Sequence, residues 1–197
     1  MEPIDWDKKY QAGEVFWDRG QPSLPLKQYL ERNPIRGKAV VPGCGRGHEV
    51  ALATQHGLEA IGLDISPTAI AEAQGLYPDL KERFLVGNLF DPPQEMHHRF
   101  DIVIEHTCMS GLPPNLRSRY RHGIDLILRP GGLLIGVWFI NPARAIGHEG
   151  PPYTFSVESL SELFAVGYEI IEDYIPEVAF EGREGRERVR VLKRISP

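Results

Sequence analysis

A chain of 197 residues with 42% hydrophobic and 25% charged side chains has the balance of a globular domain and is long enough to bury a core without disulfide or metal support. Its 22 Lys and Arg against 27 Asp and Glu leave a net charge of −5, which argues against an extended nucleic-acid surface. Cys44 and Cys108, neither with a C-x-x-C partner, exclude a disulfide framework, and no apolar run reaches membrane-spanning length. The acidic, aromatic start MEPIDWDKKY lacks the basic and then apolar order of a secretory signal. A cytoplasmic location follows as the expectation, with no membrane partner and no metal site, because no His or Cys grouping has a ligand spacing.

Taken in chain order, Lys38 to Pro42 reads as a first strand running into Gly43, Gly45 and Gly47, and His48 to His56 as the helix behind that turn. Glu59 to Asp64 is a second strand ending on a carboxylate. Ser66 caps the next helix, through Gln74, with Pro67 at its favoured first position. Arg83 to Gly87 and Phe100 to Ile104 are the third and fourth strands. Asn115 to Leu128 reads as a helix that stops at Arg129, Pro130, Gly131 and Gly132, and the fifth strand, LLIGVWF, follows at once. Ser156 to Phe164 is the last helix. Tyr168 to Tyr174 and Arg188 to Leu192 have no helix between them and should pair antiparallel.

Five strand-helix units closed by a hairpin predict a single α/β domain over residues 1–197: a doubly wound, mostly parallel seven-stranded sheet with one reversed strand at its edge. The basic stretch from Arg183 to Arg194, interleaved with Glu184, Glu187 and apolar residues, is expected on that solvated edge.

The chemistry starts at Val40 to Val50, V-V-P-G-C-G-R-G-H-E-V, with Asp64 ending the next strand twenty-one residues after Gly43. Glycines let backbone N–H groups approach a ligand, and a carboxylate at the second strand's end can accept both hydroxyls of a ribose. A dinucleotide fingerprint wants a third small residue where this loop has His48, so an NAD-binding dehydrogenase is the weaker reading. S-adenosylmethionine has no phosphate and needs only the loop, the ribose carboxylate and an adenine slot. Gly87-Asn88-Leu89-Phe90-Asp91 after the third strand suits that slot, with Asn88 on the adenine edge and Leu89 or Phe90 on its face. The same residues would also make an ordinary strand-end turn.

These motifs, with F-W-D-R-G-Q-P from Phe16 to Pro22, L-D-I-S from Leu63 to Ser66, F-D-I-V-I-E-H-T from Phe100 to Thr107, L-R-P-G-G from Leu128 to Gly132 and G-P-P-Y from Gly150 to Tyr153, resemble the thiopurine methyltransferase superfamily. Within it the chain looks most like the plant and bacterial thiol and halide methyltransferases, from Trp6 to about Lys193. Tyr10 stands where the family usually has Trp, and Asn88 where it has Asp. The resemblance implies a class I S-adenosylmethionine-dependent methyltransferase acting on a thiol, sulfide or halide, with aromatic, heterocyclic or natural-product thiols as the alternative. A silent cofactor-binding protein is a further reading from another class.

It implies that Trp6, Tyr10 and Trp17, in a lid over residues 1–35, close over the cofactor. Gly43, Gly45, Asp64, Ile65, Asn88, Leu89, Phe90 and His106 would line its site. His106 and Glu105, after the fourth strand, become the candidates to orient or deprotonate the acceptor. Cys108, Met109, Trp138 and Phe139 read as wall or core rather than as nucleophiles. The implied partner is a small molecule and the implied state a monomer.

Overall fold

The computed structural model describes residues 4–140 and 150–195, so residues 1–3 of the expected N-terminal lid lie outside the described residues. The chain opens with two short helices, α1 (Trp6–Gln11), capped by the Asp5 side chain, and α2 (Leu24–Arg32), capped by Ser23. The sheet follows: β1 (Lys38–Pro42), α3 (His48–Gln55), β2 (Glu59–Asp64), α4 (Pro67–Leu76), β3 (Phe84–Val86), β4 (Phe100–His106), α5 (Arg117–Ile127), β5 (Leu128–Phe139), α6 (Val157–Leu163), β6 (Tyr168–Tyr174) and β7 (Glu187–Arg194). Strand order is β3-β2-β1-β4-β5-β7-β6. β7 runs antiparallel to both of its neighbours, and every other pairing is parallel.

Alternation along the strands sends side chains to two separate cores. Val41, Ile102, Ile104 and Val137 pack with Leu26 and Leu30 of α2 and with Val50 and Leu52 of α3. Val40, Val103, Leu134 and Trp138 pack on the opposite face against Tyr120, Ile124 and Ile127 of α5 and Leu160 of α6. Helices on both faces of a mostly parallel sheet make the doubly wound class that the motif order predicts.

Three details differ from the sequence expectation. The reversed strand is not at the edge: β7 lies one place in, between β5 and β6. Its residues are nearly all buried while only Tyr168 of β6 is, because β7 carries Val189, Val191 and Leu192 into the two cores. The arginines taken for solvated residues are therefore paired. Arg188 and Arg190 share Asp173 of β6, and the buried Arg194 reaches the Leu128 carbonyl. The crossover from β3 to β4 has no α-helix, only a short 3₁₀ turn at Gln94–Met96. Finally, β5 begins before the Arg129–Gly132 segment: the pairing steps from Phe100 opposite Leu128 to Ile102 opposite Leu133, so the extra residues form a bulge inside one long strand.

Candidate active site

In this strand order the chain turns from leftward to rightward winding between β1 and β4, and the carboxyl ends of β1, β2, β3 and β4 open on one crevice. A cavity of about 1030 Å³ fills it. Gly43 borders it, and Gly45 lies just behind in the same turn; both are in the left-handed region, with φ of +61° and +51°. A Cβ on Gly43 would stand 2.7 Å from Cys108 Sγ, and one on Gly45 would stand 2.6 Å from the Tyr10 hydroxyl, so the loop has room only for glycine at both places.

Asp64 closes β2 on the cavity wall. Its Oδ2 accepts the Gly45 N–H at 2.8 Å and its Oδ1 the Ser66 N–H at 2.9 Å, and burial pushes its carboxyl above the ordinary value against those bonds. Ile65, half exposed, borders the same cavity. After β3, Asn88 Oδ1 accepts the Phe90 N–H at 2.9 Å, which leaves the amide Nδ2 to donate to a ligand. The turn and the ligand-facing reading of Asn88 are thus compatible. Leu89 and Phe90 line the wall beside it, and the Arg119 guanidinium lies over the Phe90 ring at 4.8 Å.

The N-terminal aromatics come together over this cavity. Trp6 and Trp17 meet edge to face at 5.3 Å, Tyr10 and Trp17 at 5.8 Å, and Trp17 Nε1 donates to the Tyr10 hydroxyl at 3.4 Å. All three border the cavity. An acidic acceptor for vicinal hydroxyls, a glycine turn, a free amide and an aromatic cover form a donor set that fits S-adenosylmethionine.

The two residues expected to handle the acceptor are placed differently. Glu105 and His106 are the last residues of β4 rather than residues beyond it, so they point to opposite faces of the sheet. Glu105 faces α5, where its oxygens accept the Tyr120 hydroxyl at 2.5 Å and the Met109 N–H at 3.0 Å. Burial raises its carboxyl to about 7, and it does not border the cavity. The expectation that Glu105 touches the acceptor is corrected accordingly: it anchors the chain that follows β4.

His106 faces α3, with Nδ1 2.8 Å from Glu49 Oε1 and Nε2 3.5 Å from Arg183 Nη1. Burial works against the Glu49 carboxylate, but His106 and the Ser23 N–H hold it below its ordinary value. His106 is also absent from the wall itself; Arg183 stands on it.

Arg183 is the residue that the sequence reading missed. It lies in the connection between β6 and β7, only 5% exposed, with Nη1 3.1 Å from the buried Glu187 Oε1. Its guanidinium sits 4.9 Å from the Phe139 ring and 5.9 Å from the Phe180 ring. The only local sign was a carboxylate four residues on, at Glu187, which in a basic run looks like surface charge. Thr107 was missed as well. It lines the cavity at a φ of +61°, a backbone strain unusual for a β-branched residue, and its carbonyl accepts the Ser110 hydroxyl at 2.8 Å. Cys108 and Phe139 are wall residues, whereas Met109 and Trp138 are core. Burial raises the Cys108 thiol well above its ordinary value, which suits a wall and not a nucleophile.

Comparison with known proteins shows the family and the fold. The model of the thiopurine S-methyltransferase family matches residues 1–194. A probable thiol methyltransferase 2 of Arabidopsis thaliana is 30% identical, covering 97% of this chain and 85% of its own. Thiocyanate methyltransferase 1 of Brassica oleracea is 29% identical, covering 100% and 87%. A Burkholderia thailandensis 1,6-didemethyltoxoflavin N1-methyltransferase, solved with that substrate and S-adenosylhomocysteine, superposes with a TM-score of 0.75 at 20% identity, over 98% of this chain and 86% of its own, and shares the fold.

The fold and the site define a class I S-adenosylmethionine-dependent methyltransferase. The chain belongs to the thiopurine S-methyltransferase family.

Proposed function

We propose that this enzyme methylates the sulfur of a small thiol or of hydrosulfide, taken up as the anion, with halide as a second acceptor of the same charge. The observation that carries this reading is Arg183, a buried cation on the cavity wall, where the other basic residues of the lining, Lys9, Arg19 and Arg119, are more exposed. Relatives named for thiols and thiocyanate point to the same chemistry.

When bound, S-adenosylmethionine supplies an electrophilic methyl group. Asp64 would hold its ribose, and Gly43 and Gly45 would let the backbone approach. Asn88 would meet the adenine edge, with Leu89, Phe90 and Ile65 around the ring. Trp6, Tyr10 and Trp17, with the rest of residues 4–35, would act as the lid of a single domain and exclude water. An anion that enters loses hydration, and Arg183 offsets part of that loss while orienting it.

No strong base is needed at the wall, since a thiol of ordinary pKa near 8.5 is already a few per cent thiolate at about pH 7. His106, with Glu49 at one ring nitrogen and Arg183 at the other, serves to position Arg183. A monomer in the cytoplasm, acting on a small molecule without nucleic acid, completes the reading. Cys44 and Cys108 are both free thiols, and among the described residues no helix is long and apolar enough to cross a membrane.

The pH dependence of kcat/KM tests this division of labour. For a thiol it should rise along the acceptor's own ionisation, in wild type and in His106→Ala alike, while iodide shows no such rise. His106→Ala should slow both acceptors by a similar factor. A loss confined to the thiol, together with the disappearance of a protein ionisation from its profile, would instead make His106 the base.

A further inference from the structure

The glycine loop contains two side chains that the cofactor site does not use. Arg46 and His48 do not border the main cavity; they line a second hollow of about 440 Å³, shared with Asp18 and Glu72. Asp18, with its side chain 8% exposed, is held there from three directions. Arg46 Nη1 donates to its Oδ2 at 2.7 Å, His48 Nε2 lies 3.2 Å from its Oδ1, and the Gly20 N–H donates at 2.7 Å. Both partners are themselves braced, Arg46 by Glu72 at 2.6 Å and His48 by the Tyr77 hydroxyl at 2.7 Å.

Asp18 directly follows Trp17, and a second carboxylate directly follows Trp6. Asp7 Oδ1 accepts the Ser66 hydroxyl at 2.7 Å and the Thr68 N–H at 2.9 Å. Ser66 is the residue whose own N–H holds Asp64. Each tryptophan of the cover is therefore next to an anchored aspartate, one held by the loop after β1 and the other by the start of α4 after β2.

We propose that Asp7 and Asp18 latch the N-terminal segment onto the cofactor loop, and that Arg46 and His48 are positioning residues that receive the second latch. The inference rests on the reading of that segment as a lid. A six-residue α1 has little stability of its own, so something outside it must fix its place. Aromatic packing attracts the segment to the cavity without setting its register, whereas a buried carboxylate with three donors accepts one arrangement only. Although burial opposes ionisation of Asp18, the hydrogen bonds from His48, Gly20 and Arg46 hold its carboxyl far below the usual range, so the latch stays charged through neutral and mildly acidic pH.

The test combines hydrogen exchange with the release rate of S-adenosylhomocysteine, followed by tryptophan fluorescence. In wild type, ligand should slow exchange in residues 5–17; no slowing would remove the lid itself and leave the latch without an object. With the lid established, Asp18→Asn should speed release and raise the KM for S-adenosylmethionine by about tenfold, with the thiol KM within about twofold. Ligand-induced protection of residues 5–17 should vanish while that of β1 and β4 remains.

Arg46→Gln should reproduce these effects and add little to Asp18→Asn, as expected for one shared interaction. Should Asp18→Asn not fold, Arg46→Gln and Asp7→Asn carry the same comparison. Unchanged release and intact lid protection in the folded variants, with only a lower melting temperature, would overturn the proposal and leave these residues as ordinary packing.

Discussion

Asp64→Ala is expected to weaken binding of S-adenosylhomocysteine by about 1.5–3 kcal/mol, the usual worth of hydrogen bonds to a charged group. Two contributions add in the same direction. The carboxylate is the acceptor available to the ribose hydroxyls, and it also fixes the glycine turn, through the Gly45 N–H on one oxygen and the Ser66 N–H on the other. Asp64→Asn keeps the size and one acceptor oxygen, so it should fall between wild type and alanine. Calorimetry on folded protein checks both, and an Asp64→Ala affinity equal to wild type would show that the ribose is held elsewhere.

Loss of Arg183 should act on the acceptor instead of the cofactor. Arg183→Ala is expected to lower kcat/KM for a thiol by about 10- to 150-fold, the rate equivalent of one hydrogen bond to a charged group, with cofactor affinity changed less than about twofold. The variant also leaves Glu187, which is 1% exposed, with only His106 Nε2 at 4.0 Å beside its Oε1, and a poorly compensated buried charge is costly, so its melting temperature should fall. Arg183→Lys separates the two effects. It should restore most of the stability, but only part of the rate, because a lysine lacks the planar fork that spans Glu187 and the cavity together. A thiol rate in Arg183→Ala equal to that of wild type would remove the cation from the acceptor site.

What the sequence made legible was whatever is local. The short apolar runs that became β1, β2 and β4, and the turn from Pro42 through Gly47, are written in neighbouring residues, and Asp64 follows from strand spacing alone. Glu105 and His106 were harder. With the fourth strand expected to stop at Ile104, the alternation that sends them to opposite faces could not be applied; once the strand runs to His106, it separates them at once.

Arg183 could not be read because its role depends on burial made by distant parts. Phe139 and Phe180 flank it, and His106 lies seventy-seven positions earlier in the chain. A basic stretch interleaved with glutamates looks like solvated edge until β7 is known to lie inside the sheet. Asp18 was equally silent, since its partners Arg46 and His48 stand in a loop that a motif reading credits to the cofactor.

The most direct measurement is transfer of a labelled methyl group from S-adenosylmethionine to a panel of acceptors: sulfide, methanethiol, aromatic thiols, thiocyanate and iodide. The expected result is labelled thioether or methylthiol from at least one sulfur anion, with S-adenosylhomocysteine formed in equal amount. Saturating cofactor binding without labelled product from any sulfur or halide acceptor would contradict methyl transfer to an anion at Arg183.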